Sequence, residues 1–486
     1  MANAYKKITK FNGFDSENLD NGRQNNYAWS MAELGDYLYV GTGRNLTNII
    51  QNSLNTLDLD SLDFSSLGLN SINLKSINLN PSDIKLPKEF IAKKIHMGGE
   101  IWRYKKDSSC AWERVYKASE DSGIVGFRSM ITYTTPKCET SLYACCFNMS
   151  SEILLLKSSD GVNWNLINTG ITTGNSSRSM IIHEGKIFMS VINEHSTDLS
   201  TFIYCNNDPE FEAWKLITPS EVYNNPRGQA VALCSFNGHL YAATALPYGF
   251  EVWRTENSEP EKHHWKCIVD KGAGDASNVI PLTMGVFKDH LYLGTAMHIT
   301  KDEEISIGTL PIRGFDLIRI DKSDNWKLIV GSRPLIPSHP ATGKRTDPLS
   351  GYYSGFGEMG NALCWQLLEY NNEFYLTTFD WSILAEPLYA ALLENKEKLS
   401  KLPENKTLKF LLNNQFIVKL FIKAQKHTYG FDLWKSRDGI HWNAVNVNGF
   451  GNPHNNGIRT LFITSEGTLY LGTSNLFEGC EVWVKE

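Results

Sequence analysis

One short unit recurs along the chain and leaves little choice of architecture. It is a strand of the form Leu-Tyr-x-Gly-Thr, a loop, and a second strand of the form Glu-Val-Trp-Arg. The first strand occurs at Leu38-Tyr39, Leu142-Tyr143, Ile187-Phe188, Leu240-Tyr241, Leu291-Tyr292, Phe374-Tyr375 and Leu469-Tyr470, seven times in all. The second is clearest at Glu100-Ile101-Trp102-Arg103, Glu251-Val252-Trp253-Arg254, Asp316-Leu317-Ile318-Arg319, Asp432-Leu433-Trp434-Lys435 and Glu481-Val482-Trp483. A tryptophan then marks an outer strand at Trp112, Trp164, Trp214, Trp265, Trp326 and Trp442. An apolar run such as Ser129-Met130-Ile131 precedes each Leu-Tyr strand. Four short strands per repeat predict an all-β, seven-bladed β-propeller.

The last repeat stops at Glu486, one strand short. Residues 4–11 resemble an outer strand, with Tyr5 in the tryptophan position. They are expected to pair near Val482 and close the ring, which removes the free sheet edges. Residues 1–45 and 98–486 then form the propeller, interrupted by insertions at 46–97 and 380–429. The first insertion carries a five-residue period, Leu57-Asp58-Leu59-Asp60-Ser61 through Ile77-Asn78-Leu79-Asn80-Pro81. A five-residue step turns a helix by about 500°, so no single helical face forms, and a pentapeptide-like coil is expected. In the second insertion, Ile383 to Leu402 and Thr407 to Gln425 are expected to be helical. Its apolar face is too short and too interrupted to span a membrane.

Charge and cysteine use narrow the function. The 486 residues carry 47 Lys and Arg against 53 Asp and Glu, a net charge of −6, with no basic block. Nucleic acid, which needs clustered cations, is not an expected partner. No apolar segment follows Met1-Ala2-Asn3, so no signal peptide is expected. Cys145, Cys146, Cys205 and Cys234 fall within expected strands and are read as reduced thiols of a cytoplasmic protein. The Asp58, Asp60 and Asp63 spacing lacks the Gly and terminal Glu of an EF-hand, so no motif supports a structural calcium. No cofactor is expected. Ser158-Ser159-Asp160-Gly161 and Ser436-Arg437-Asp438-Gly439 resemble the Asp-box of sialidase-like propellers, a turn device rather than a catalytic one.

Both insertions replace the loop between the second and third strands of a blade. They are expected to lie on one rim as a lid over the channel mouth. A pocket roofed by Leu- and Phe-rich segments suits an apolar small molecule. The rim offers Arg44, Tyr248, His298 and Arg313 from these loops, and Asp275, Tyr352, Tyr353 and His454 from connections between blades. No Ser-His-Asp order, phosphate loop or HExxH motif accompanies them.

The Leu-Tyr-x-Gly-Thr and Glu-Val-Trp-Arg repeats, with a repetitive insertion in blade one, resemble the cyanobacterial alkylating propeller enzymes that form cylindrocyclophanes and bartolosides. The resemblance implies a Friedel–Crafts-type enzyme of natural-product biosynthesis, joining an alkyl halide to a resorcinol carbon, a phenol or a carboxylate oxygen. It places the family's Arg at Arg44, its Asp at Asp275 and an apolar contact at Leu246. Residues 296–313 contain no Tyr, so His298 stands nearest the family's Tyr. The family's calcium-binding β-roll repeats are absent from residues 46–97. Arg44 would hold the departing halide, and Asp275, with His298 or Tyr353, would take the proton. Tyr248, Tyr352, Phe416 and Phe421 would line the apolar site. Two other classes remain: a non-catalytic propeller binding a ligand, glycan or protein, and a sialidase-like hydrolase. The hydrolase would need several rim arginines, to which Arg128 and Arg178 contribute, and a Tyr–Glu pair.

Overall fold

The structure is a computed structural model. It describes residues 4–44, 46, 97–106, 111–150, 152–193, 199–219, 225–257, 260, 264–297, 313–394, 396–399 and 412–486. Alternating apolar residues and tight turns give twenty-eight short strands among these residues, nearly all of them in antiparallel four-strand meanders. β1 (Tyr5–Lys7) comes first. The first unit holds β2 (Asn25–Leu34), β3 (Tyr37–Arg44), β4 (Glu100–Lys105) and β5 (Glu113–Lys117). The second holds β6 (Ile124–Thr134), β7 (Thr140–Asn148), β8 (Leu154–Ser158) and β9 (Asn165–Asn168). The third holds β10 (Met180–His183), β11 (Lys186–Val191), β12 (Phe202–Asn206) and β13 (Lys215–Leu216). The fourth holds β14 (Gln229–Phe236), β15 (His239–Ala245), β16 (Glu251–Thr255) and β17 (Trp265–Val269). The fifth holds β18 (Ile280–Phe287), β19 (His290–Ala296), β20 (Leu317–Ile320) and β21 (Trp326–Val330). The sixth holds β22 (Asn361–Tyr370), β23 (Glu373–Asp380), β24 (Leu433–Ser436) and β25 (Trp442–Asn446). The last holds β26 (Asn455–Ile463), β27 (Leu469–Asn475) and β28 (Val482–Lys485).

The last unit takes its fourth strand from the start of the chain. Tyr5 lies opposite Lys485 and Lys7 opposite Trp483, and Ile8 N–H donates to the Val482 carbonyl at 2.9 Å. Trp326 lies opposite Ile320 in the fifth unit, so Tyr5 occupies the tryptophan position as expected. The first strands of successive units lie beside one another, and β26 lies beside β2. Single bridges between units tie the same end of the strands: Gly43 to Gly126, Ala296 to Leu363, Phe379 to Gly457 and Ser474 to Tyr27.

The glycine of the Leu-Tyr-x-Gly-Thr strand has a steric reason. A Cβ on Gly41 would stand 2.6 Å from Ser30 Oγ, and one on Gly294 would stand 2.2 Å from Cys364 Sγ. The Asp-boxes are turn devices, as expected. Asp160 accepts from the Val162 and Asn163 amides at 2.8 Å each, and Asp438 from Ile440 and His441 likewise. The glycine after each Asp packs against the Leu-Tyr tyrosine of the preceding unit, Gly161 on Tyr39 and Gly439 on Tyr292. Cys145, Cys146 and Cys205 are buried free thiols; Cys234 is only half-buried.

Most of the first insertion, including the pentapeptide period and Asp58, Asp60 and Asp63, lies outside the described residues. The second insertion forms helices at Ala385–Glu394, Lys396–Leu399 and Gln415–Gln425. Leu412 and Asn413 are helical as well, and residues 400–411 lie outside the described residues. Leu412 and Val418 are buried while Phe416, Ile417 and Leu420 face solvent. No helix among the described residues is long and apolar enough to cross a membrane.

Candidate functional site: the inner ring

A β-bulge in the first strand of a unit turns one extra residue out of the ladder and re-aims its side chain. In the first unit, Ala28 pairs with Thr42 and Ser30 with Gly41, which leaves Trp29 bulged. The same slip leaves Arg128 bulged in the second unit, Val231 in the fourth, Leu282 in the fifth, Trp365 in the sixth and Arg459 in the last. In the third unit, Ser176 bridges Ile192 and the Ser190 amide donates to the Ser179 carbonyl, three residues against two, which puts Arg178 in the same stretch. Bulged side chains of neighbouring units meet. The Arg128 guanidinium lies over the Trp29 ring at 4.8 Å and over Phe147 at 4.5 Å. Arg459 lies over Trp365 at 5.6 Å.

An aromatic wall stands at this end of the strands. Phe147 meets Trp29 at 5.8 Å, Trp29 meets Tyr27 at 6.0 Å, and Tyr27 meets Trp365 at 5.5 Å. Trp365 meets Phe379, and Phe379 meets Trp381 of the second insertion, both at 4.5 Å. Nearly all these contacts are edge-on, the geometry that ring quadrupoles favour. Leu46, where the first insertion begins, and Ile383 of the second pack into the same cluster. Leu46, Trp381 and Ile383 therefore share one aromatic patch. Burial pulls the Arg459 guanidinium down to about 9, with Arg178 and Arg128 adding to the shift. Burial pushes the Tyr27 phenol well above its ordinary range, so it stays a neutral donor.

Among the described residues, Arg44 and Asp275 share no partner, whereas Asp275 and Arg313 pair with each other at 3.1 Å. Arg44 is 1% exposed. It donates to Asn25 Oδ1 at 2.7 Å and Asn21 Oδ1 at 2.8 Å, and pairs with Glu100 at 3.2 Å. Burial lowers its pKa and Glu100 opposes that shift. It is an internal ion-pair member and not a rim donor. Asp275 is fully buried and accepts from Ser277 Oγ, Arg313 and the Leu335 and Ile336 amides, so it pins the 332–352 loop. With its lone pairs so occupied, it is not placed to take a substrate proton. Leu246 is buried, whereas Tyr248 and Tyr353 are open to solvent at 45% and 70%. Tyr352 packs on Phe356 and Trp434 between the fifth and sixth units. Phe416 is 80% exposed. His298 and the Phe421 side chain lie outside the described residues. The ring arginine Arg459 and its aromatic neighbours went unnoticed because a bulge position has no residue-type signature.

The Glu-Val-Trp strands conceal a second repeated device. Their carboxylates are buried acceptors for the indole two residues on: Trp102 to Glu100 at 2.9 Å, Trp253 to Glu251 at 2.8 Å, Trp434 to Asp432 at 3.1 Å and Trp483 to Glu481 at 3.0 Å. An asparagine at or near the start of the inner strand adds a donor in several units, as Asn25, Asn361 and Asn455 do. A cleft of about 560 Å³ opens beside the first of these groups, between Asp15, Asn18, Trp102, Trp112 and Arg114. It is polar and lies outside the aromatic wall. No group of three or more metal-ligating side chains occurs among the described residues.

No protein-family model matches the chain, and no curated protein matches it. Solved structures do. An ancestral GH74 enzyme aligns with a TM-score of 0.47 and 11% identity, over 94% of this chain and 47% of the other. The WD40 domain of Neurospora crassa Pan2 aligns with a TM-score of 0.47 and 7% identity, over 100% and 97%. A hypothetical selenium-binding protein of Sulfolobus tokodaii gives 0.46 and 9%, over 79% and 81%. Likenesses this remote accompany a propeller-type, nearly all-β arrangement and assign no activity.

Proposed function

We propose that the chain is a seven-bladed propeller, closed by β1 on β28, that takes an apolar aromatic small molecule at one mouth of its channel. The insertions at 46–97 and 380–429 would stand over that mouth. The observation that carries this reading is the contiguous wall of Phe147, Trp29, Tyr27, Trp365, Phe379 and Trp381, contributed by three units and an insertion. Flat rings held edge-on leave an aromatic ligand both faces and edges to pack on.

The reaction implied by the resemblance, alkylation of a phenolic or carboxylate nucleophile by an alkyl halide, fits this mouth better than the rim. The carbon–halogen bond breaks, a carbon–carbon or carbon–oxygen bond forms, and a proton and halide leave. A buried guanidinium stabilises the developing halide charge more than an exposed one does. In this chain Arg128 and Arg459 flank the aromatic wall, whereas Arg44 is occupied by Glu100. A sialidase-like hydrolase is less favoured, since among the described residues no carboxylate is hydrogen-bonded to Tyr27.

The test is to titrate a 5-alkylresorcinol into the protein and follow tryptophan fluorescence. The same mixture with a long-chain secondary alkyl chloride is then read by mass spectrometry for loss of HCl. Trp365→Ala should weaken binding. Binding without turnover supports the non-catalytic reading, and no binding overturns the site.

A further inference from the structure

We propose that the inner ring holds an oxyanion subsite for an aromatic carboxylate, set by Arg459 and Arg128 between the indoles of Trp365 and Trp29. The proposal rests on the channel-mouth reading above and names the ligand class it would take.

The ring is electrically lopsided. Reading the bulge positions in unit order gives Trp29, Arg128, Arg178, Val231, Leu282, Trp365 and Arg459. The fourth and fifth units contribute only aliphatic side chains, which pack among Ala245, Val279, Ile280 and Ala296. The cations fall on the last, second and third units, with Trp29 between Arg459 and Arg128.

Arg459 is 8% exposed. Among the described residues, neither a hydrogen bond nor an ion pair reaches its guanidinium, which lies over the Trp365 ring. Burying a cation without an anion is costly, and buried charges are ordinarily paired. Here neighbouring arginines add to the cost rather than relieve it. Arg128 sits on two rings and donates to Ser176 Oγ at 3.3 Å. Tyr27, next to both indoles, remains a phenol able to donate. An anion placed here meets guanidinium forks, which match a carboxylate's geometry. The indoles beside it suit an attached aromatic ring, and the aliphatic arc across the ring suits nothing charged.

The experiment is calorimetric titration of the full chain with benzoate, with benzamide as its neutral isostere and with inorganic phosphate. It is repeated on Arg459→Met, which keeps the stem volume and removes the buried charge. Benzoate should bind, benzamide and phosphate should not, and Arg459→Met should weaken benzoate by about tenfold or more. The melting temperature of ligand-free Arg459→Met should equal or exceed that of wild type, which shows that the loss is not unfolding. Equal binding of benzoate and benzamide, or unchanged benzoate affinity in Arg459→Met, overturns the subsite. Phosphate binding as well as benzoate overturns the aromatic-acid assignment. A neutral probe, 4-hexylresorcinol, separates the two readings. If it binds in a Trp365-dependent way while benzoate does not, the mouth stands and the subsite fails; if neither binds, both fail.

Discussion

The first and sixth units place a carboxylate at the same point and surround it differently. Glu100 in the first unit pairs with Arg44, with both side chains fully buried. Asp432 in the sixth unit receives Asn361 at 2.7 Å and the Trp434 indole, but no cation among the described residues. Burial raises its pKa to about 6, and Glu358 adds to the rise. Asp380 beside it is pushed to about 7, by burial first and also by Asp432. The same repeat position is thus compensated by an arginine in one unit, while in the other burial raises its affinity for a proton. Other units grade between these. Glu481 takes Lys7 from the far end of the chain, Asp316 takes Arg345, and Glu251 takes Arg227, which is itself mostly exposed. A repeated sequence feature therefore fixes a geometry but not an electrostatic state.

The largest expected break in this comparison is removal of residues 1–12. It takes away β1, which pairs with β28, together with the Lys7 cation on Glu481. Cooperative unfolding in urea should be lost; an unchanged transition would refute closure by this strand. Arg44→Ala comes next. It leaves Glu100 buried with one cation fewer, and breaking a buried pair from one side costs about 3–5 kcal/mol. Chemical denaturation should show that loss directly. A loss of activity with full stability would instead restore Arg44 as a rim residue.

The sixth unit should respond to pH. Its carboxylates have folded-state pKa values above the ordinary Asp value, so the folded form holds more protons than the unfolded form between about pH 4 and 7. Stability from this pair is complete below pH 4 and falls as pH rises through about 6 and 7. The difference between wild type and Asp380→Asn/Asp432→Asn should therefore swing in favour of the double variant above pH 7, by several kcal/mol. A pH-independent difference would mean that these acids are ionised throughout. The smallest effect belongs to Arg227→Ala. The Arg227 side chain is 64% exposed, so screening leaves the pair worth about 0.5 kcal/mol or less. A loss matching that of Arg44→Ala would erase the ranking by burial.

The strands were legible because alternation and the Leu-Tyr-x-Gly-Thr glycine have local causes, such as the close approach of Ser30 to Gly41. The pairing of residues 4–11 was legible because Tyr5 stands where the other outer strands carry a tryptophan. The inner ring had a faint signal. Trp29 stands ten residues before Tyr39 (39 − 29), and Arg178, Val231, Leu282 and Trp365 stand ten before Phe188, Tyr241, Tyr292 and Tyr375. A longer hairpin hides the same spacing at Arg128. Arg44 was misplaced because a charged residue at a strand end looks like a rim residue unless its buried partner, 56 positions away (100 − 44), is known.

The sequence alone determined the strand units, their order and the turn devices, since each depends on neighbours within a hairpin. The tertiary structure decided which charges are buried, which are paired and which converge. Arg44 meets Glu100, Asp275 meets Arg313, and Arg459 lies over an indole. Those outcomes depend on desolvation and on contacts between units far apart in the chain, and no local pattern of residue types encodes them.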